Sequence, residues 1–394
     1  LVSLKHIYLF YTLFENLREG YDGFFQKKRA FQVKYLGAPP VLSPREEECT
    51  ELVKTRFAKE IDAELIEKLF PDFPRQRFEK LVERVRQAII RRLEANVWLS
   101  KEGREGALAK MRTARMQLAS PASDAEWDFT EPAVYSSTAY LANARLRAQK
   151  DLDKLIHKFS GERDRKIWSM APLEINAYYA PSDNKFIMLQ GILQYPLFDP
   201  KLSDAEILGA IGMVVGHELG HGFDNNGSKY DENGVKRQWM PDSDLKEFQR
   251  RTNLLVSQFN RLQFDPFNFP DLFETKPKTP VLKAVSSVNP DYGNLTLGEN
   301  IADTSGLRFA YEAAFPGNVG SLDEKRAFYL QYARVWCGTM RSGEFTKRLL
   351  SDYHAQTFFR VNEPLKHQPR FHEAYACKPG NKMYLAPEKQ MDLW

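Results

Sequence analysis

The sequence predicts a mostly helical α+β protein, and three observations carry that prediction. Leu81, Val82, Val85, Ala88, Ile89 and Leu93 recur at helical spacing, with Arg and Glu on the opposite face. Ile207, Leu208, Ile211, Val214 and Val215 repeat the spacing and read as a buried helix. Ile175 to Leu193 is instead rich in strand formers, with Pro181-Ser-Asp-Asn184 as a turn between two arms.

Taken in order, residues 1 to about 120 read as helical. His6 to Phe14 is apolar but too short to span a bilayer, as is every other apolar run. No small-residue cleavage site follows it, so it reads as a buried helix rather than a signal peptide. Pro39-Pro40 and Pro71 with Pro74 mark breaks between helices, and Ser120-Pro-Ala-Ser-Asp124 reads as a connector. Ala139 to Lys158 is an amphipathic helix by its spacing. Asp231-Glu-Asn-Gly234 is a turn, since its Asn-Gly pair favours positive φ. Phe264 to Val288 is rich in Pro and Phe and aperiodic, which reads as a loop with short elements. Ser321 to Val335 returns to helix. The domain boundary falls at 128/129, with the chemistry in 129–394.

The 394 residues are 43% hydrophobic and 27% charged, ordinary for a soluble globular protein. A net charge of +4 makes no case for nucleic acid, and Lys27-Lys-Arg29 reads as a solvated helix face. The cysteines are Cys49, Cys337 and Cys377; an odd count implies a free thiol or a partner outside this chain.

The chemistry centres on His217-Glu218-Leu219-Gly220-His221, the pattern H-E-x-x-H. Residues four apart share one helical face, so both imidazoles reach one metal ion, with Glu218 beside it as a general base. The extended form of the motif needs Gly at 224 and His at 227, where this chain has Asp224 and Gly227. The third ligand must come from elsewhere. Gly298-Glu-Asn-Ile-Ala-Asp-Thr-Ser-Gly306 offers Glu299 as ligand. Asp303, four residues on, can accept the second ring N–H of a ligating histidine. A solvated acidic helix is the competing reading of these carboxylates. A purely structural zinc site would be closed by four ligands rich in Cys, and no Cys lies near these motifs.

Val214-Val-Gly-His-Glu-Leu-Gly-His-Gly-Phe-Asp224 followed by Leu297-Gly-Glu-Asn-Ile-Ala-Asp303 resembles the neprilysin family of zinc endopeptidases. Ile175-Asn-Ala-Tyr-Tyr179 with Gly191-Ile-Leu-Gln194 is similar to that family's substrate-binding edge. Arg334-Val-Trp-Cys-Gly338, then His354 with Arg360-Val-Asn362, look like its later active-site blocks, and Trp394 like its terminal tryptophan. The resemblance runs from near Leu4 to Trp394. It implies a thermolysin-like (gluzincin) catalytic core over 129–394 and part of a helical lid over 1–128. It implies one zinc per chain, held by His217, His221 and Glu299. It casts Glu218 as base, Asp303 as support, His354 as stabiliser of the oxyanion and Arg360 as a hydrogen-bond donor to a substrate carbonyl.

By the same resemblance, Asn176 and Ala177 pair with the peptide backbone. Ile192, Leu197, Met213, Val214, Val335 and Trp336 line a pocket for the residue after the cut bond. The implied activity is hydrolysis of small peptides on the amino side of large apolar residues, outside the cell or at its surface. The alternative is a catalytically inactive peptide-binding relative, against which the intact ligands and Glu218 argue. In the family, cysteines at the three matching positions bridge to cysteines further toward the N-terminus. The chain therefore resembles the C-terminal portion of a longer ectodomain. The segment absent here would pair the cysteines, complete the lid and carry any membrane anchor. There are two departures. Gly220 stands where the family often has Thr, and Met391 where it has Cys. Asn226-Gly-Ser228 and Asn294-Leu-Thr296 match the N-glycosylation pattern, but both lie beside the zinc motifs, where a glycan would crowd the site, so at most Asn294 is usable.

Overall fold

The computed structural model describes residues 2–15, 21–36, 38–161, 164–264, 282–340 and 342–394. By their contacts they form two compact units, Leu1–Glu60 with Ser123–Ser169, and Ile61–Ala122 with Met170–Trp394. The 128/129 boundary grouped 61–122 with the N-terminal helices. In the structure those residues join the C-terminal unit, because helix Arg75–Glu94 packs on helices Met213–Gly220 and Leu297–Ala314. Its buried face is the one read from the spacing, Leu81, Val82, Val85, Ala88, Ile89 and Leu93.

The first unit is helical, with Val2–Glu15, Asp22–Leu36, Arg45–Arg56 and Tyr140–Ser160 as its longer helices. The last of these is the amphipathic helix expected over 139–158. Arg147 on it bridges to Glu60 at 2.9 Å and lies 4.9 Å over the Phe57 ring. The buried reading of His6 to Phe14 is corrected. The helix forms, but Ile7, Leu9, Phe10 and Tyr11 are exposed, because no described element covers them.

The second unit holds a three-stranded sheet of β1 (Arg115–Ala119), β2 (Ala177–Ala180) and β3 (Lys185–Leu189), in the order β1-β3-β2. The turn Pro181–Asp183, closed by Asn184 in the left-handed region (φ 45°), returns β2 antiparallel onto β3. β3 is buried along its whole length. β2 is left as an edge strand among the described residues, with one side open to pairing.

The motif helix is continuous from Asp204 to Gly220 through one π-turn over Leu208–Gly212. Ile207, Leu208, Ile211 and Val215 are buried along it as the spacing predicts. Helix Leu297–Ala314 lies against it backbone to backbone. A Cβ on Gly216 would stand 2.6 Å from the Gly306 carbonyl oxygen, and one on Gly306 would stand 2.5 Å from the His217 nitrogen. Only glycine permits that approach, and it brings the two motifs together. Gly220 is different. A Cβ there would meet Ala302 at an ordinary 3.6 Å, so nothing steric requires glycine, and it costs the helix about 1 kcal/mol relative to Ala.

Ser321 and Glu324 form a capping box that starts helix Leu322–Val335, as the sequence predicts. Of the loop expected over 264–288, residues 265–281 lie outside the described residues; its ends, Gln263–Phe264 and Lys283–Ala284, pair antiparallel. Trp394 packs on Trp98, Phe223 and Phe248 with ring centroids 5.3, 5.4 and 6.0 Å away. Cys49, Cys337 and Cys377 are unpaired. No helix among the described residues is long and apolar enough to cross a membrane.

Candidate active site

His217 and His221 leave one face of the motif helix, and Glu299 reaches them from the first turn of helix Leu297–Ala314. Three atoms converge. His217 Nε2 lies 3.1 Å from His221 Nε2 and 3.1 Å from Glu299 Oε2, and His221 Nε2 lies 3.5 Å from that oxygen. The outer nitrogens are taken. His217 Nδ1 faces Asp303 Oδ1 at 2.7 Å, and His221 Nδ1 faces Asp224 Oδ2 at 2.6 Å. Carboxylates there hold protons on both Nδ1 atoms and turn both Nε2 lone pairs toward Glu299. Glu299 Oε2 is buried and makes no well-directed hydrogen bond.

Two lone pairs and a carboxylate oxygen facing one another repel unless a proton or a metal cation sits between them. The spacing of 3.1–3.5 Å is close to that of a filled site, since tetrahedral zinc with ligands at about 2.0–2.2 Å keeps them about 3.3–3.6 Å apart. The residues present therefore suit a zinc ion. The field is strong. Burial opposes charge on His217, but Asp303 and then Glu299 outweigh it and lift the imidazole to about 8. Burial likewise opposes His221, and Asp224 and Glu299 hold it well above its ordinary range. Glu299 is pushed far down by the two histidines despite its burial.

Glu218 sits beside these ligands, 4.0 Å from His217 Nε2, and is itself buried. Burial raises its carboxyl above the usual range, with the two histidines pulling the other way. A base of raised pKa is suited to move protons near neutral pH. His354 stands on the loop before helix Thr357–Lys366, half exposed, with Nε2 3.2 Å from Glu299 Oε2. Asp352 orients it from behind, accepting from its backbone N–H at 2.9 Å and facing Nδ1 at 3.1 Å.

Arg360 carries more than the sequence assigned to it. Its Nε and Nη2 grip Asp303 bidentately at 2.8 and 2.7 Å, and its guanidinium lies 4.1 Å over the Trp336 ring. Burial would keep Asp303 protonated, but Arg360 and His217 hold it down to about 2. Arg360, Asp303 and His217 thus form one chain of contacts ending at the metal position. Two of the five guanidinium N–H groups serve Asp303.

All of these except Asp303 and Asp352 line one cavity of about 810 Å³, together with Asn176, Ala177, Ile192, Leu197, Met213, Val214, Val335 and Trp336. Every pocket residue named from the sequence is in it, as are Asn176 and Ala177 of the edge. Asn176 Oδ1 accepts from the Ala177 N–H at 2.9 Å and starts β2, whose open side runs along the cavity. Sequence reasoning missed Asp352 and Tyr353, and it gave Asp224 and Tyr179 no role of their own within the motifs that contain them. Asp224 had a signal, an acid three residues after a ligand, but it was read only as the absence of a glycine. Asp352, two residues before His354, had the same kind of signal.

Comparison with known proteins agrees with this architecture. Two models of peptidase family M13 match, one over residues 176–391 and the other over 4–121. Membrane metallo-endopeptidase-like 1 of Mus musculus is 28% identical over 394 residues, covering 94% of this chain and 48% of its own length. Neutral endopeptidase of Lactobacillus helveticus is 29% identical over 364 residues, covering 91% of this chain and 51% of its own. The crystal structure of PepO from Lactobacillus rhamnosis superposes with a TM-score of 0.76 at 27% identity, over 89% of this chain and 52% of that one. The chain spans about half the length of the curated relatives it matches.

Proposed function

Because this chain belongs to peptidase family M13, the neprilysin family, we propose that it is a zinc-dependent endopeptidase that cuts small peptides on the amino side of large apolar residues. The observation that carries the reading is the convergence of His217, His221 and Glu299 beside a buried Glu218, on the wall of a cavity flanked by an open strand edge. One zinc bound there would supply Lewis acidity for the scissile carbonyl and acidify a water.

The chain's own residues do the rest. The open side of β2 takes the peptide as an added strand, with Asn176 and Ala177 fixing its backbone irrespective of sequence. Ile192, Leu197, Met213, Val214, Val335 and Trp336 select a large apolar side chain after the cut bond. Glu218 accepts a proton from the attacking water and delivers it to the leaving amine. His354 donates to the oxygen that gains charge, and Arg360 holds a neighbouring carbonyl. The reading includes an extracellular or cell-surface setting, with Cys49, Cys337 and Cys377 paired to cysteines outside this chain.

Fluorogenic peptides with Phe or Leu after the cut bond should be cleaved, with one zinc per chain and full loss of cleavage in chelator. A zinc-loaded chain that binds such a peptide without cutting it is instead the inactive peptide-binding relative. His354→Phe should lower kcat about 100-fold at similar KM and unchanged zinc content, as loss of a donor used only in the transition state does. Kinetics near wild type for that variant remove His354 from the oxyanion role.

A further inference from the structure

Lys110 on helix Lys101–Thr113 is a lysine with no access to water, 1% exposed. Its Nζ donates to the carbonyls of Gly227 at 2.6 Å and Tyr230 at 2.7 Å. The Phe223 ring lies 5.9 Å from it. Asn184 Nδ2 donates to the Lys110 carbonyl at 3.0 Å and to the Glu232 carbonyl at 3.1 Å. The Tyr179 hydroxyl, from the cavity wall, donates to Asn184 Oδ1 at 2.5 Å. Burial pushes the ammonium down to about 7, against the pull of Asp224, Asp231 and Glu232. A buried ammonium is costly, and an apolar side chain would fill the same space without that cost.

The loop it grips leads back to the candidate metal centre. The Gly227 N–H donates to Asp224 Oδ1 at 2.6 Å, and the Ser228 N–H donates to the Asp224 carbonyl at 3.0 Å. Asp224 Oδ2 in turn faces His221 Nδ1 at 2.6 Å. A Cβ on Gly227 would lie 1.7 Å from the His221 carbonyl oxygen, so the loop is pressed directly on the backbone of that histidine.

We infer that Lys110 is a positioning residue of the metal centre. It fixes loop 224–230 and, through Asp224, the ring of His221. The inference rests on the reading of His221 as a zinc ligand. Removing the ammonium takes the side-chain donor from the Tyr230 carbonyl and leaves the Gly227 carbonyl with only the Tyr230 N–H, at 3.0 Å, which frees the loop to move, and Asp224 moves with it.

The test is Lys110→Met in the full chain, with Met111→Ala as the packing control, since Met111 is the neighbouring buried residue on the same helix. Zinc affinity is measured by chelator competition, and amide exchange at Gly227 and Ser228 is followed in the metal-free protein. Lys110→Met should weaken zinc about tenfold, the low end for partners outside the ligand shell, and speed exchange at both amides. Met111→Ala, compared at equal loss of melting temperature, should do neither. Equal zinc affinity in Lys110→Met and wild type overturns the inference, and so does an equal loss in Met111→Ala. If the wild-type chain takes up no zinc, the reading of the centre fails by itself, and the exchange rates still decide whether Lys110 holds the loop.

Discussion

Glu218→Gln should keep its zinc and lose nearly all turnover. Glutamine has the same shape, so the buried site accepts it and the three ligands stay where they are. It cannot take a proton. Positioned acid–base groups contribute about 10²- to 10⁴-fold, and on the proposed reading one carboxylate serves both the water and the leaving amine, so the upper part of that range is expected. Glu218 is fitted to the work by burial, which raises its carboxyl toward the working pH, while the neighbouring histidines keep the shift in check. Zinc analysis together with single-turnover cleavage decides the matter. A glutamine variant with wild-type turnover assigns the base elsewhere.

Glu299→Ala should release the metal. Its Oε2 is the one carboxylate oxygen that faces both imidazole Nε2 atoms, and alanine leaves two nitrogen ligands where a catalytic zinc site uses three. The expected result is a chain that folds, retains no zinc through gel filtration in chelator and cleaves nothing. Full zinc occupancy in this variant would mean that another group is the third ligand. Zinc uptake by the wild-type chain should also depend on pH. With His217 lifted to about 8 and His221 held well above its ordinary range, the metal must displace protons from both imidazoles, so affinity should rise from pH 6 through pH 8.

The sequence revealed the parts of this site whose spacing is set by one helix. His217, Glu218 and His221 needed only the four-residue repeat, and Glu299 with Asp303 needed it again. The buried faces of helices 75–94 and 204–220 were legible for the same reason, as was the pair of strands around Pro181 to Asn184. Contacts between elements were not legible. The bidentate grip of Arg360 on Asp303 joins residues from different helices, and no local pattern announces it. Lys110 looked like one charged residue among many on its helix, and only the loop packed over it shows why it is a lysine. The exposed apolar residues of helix Val2–Glu15 were misread because spacing identifies an apolar face but not what covers it.

The contact of Gly216 with Gly306 has a thermodynamic consequence. The ligands come from two helices far apart in the sequence, and they meet only when those backbones touch. An unfolded chain offers no such trio, so any ion bound there favours the folded state by mass action. At a free concentration a thousand times the dissociation constant, that linkage adds about 4 kcal/mol to the free energy of unfolding. On the proposed reading, a chelator would then do more to this chain than inhibit it. By withdrawing the ion it lowers the melting temperature of the whole second unit, and restoring the ion raises it again.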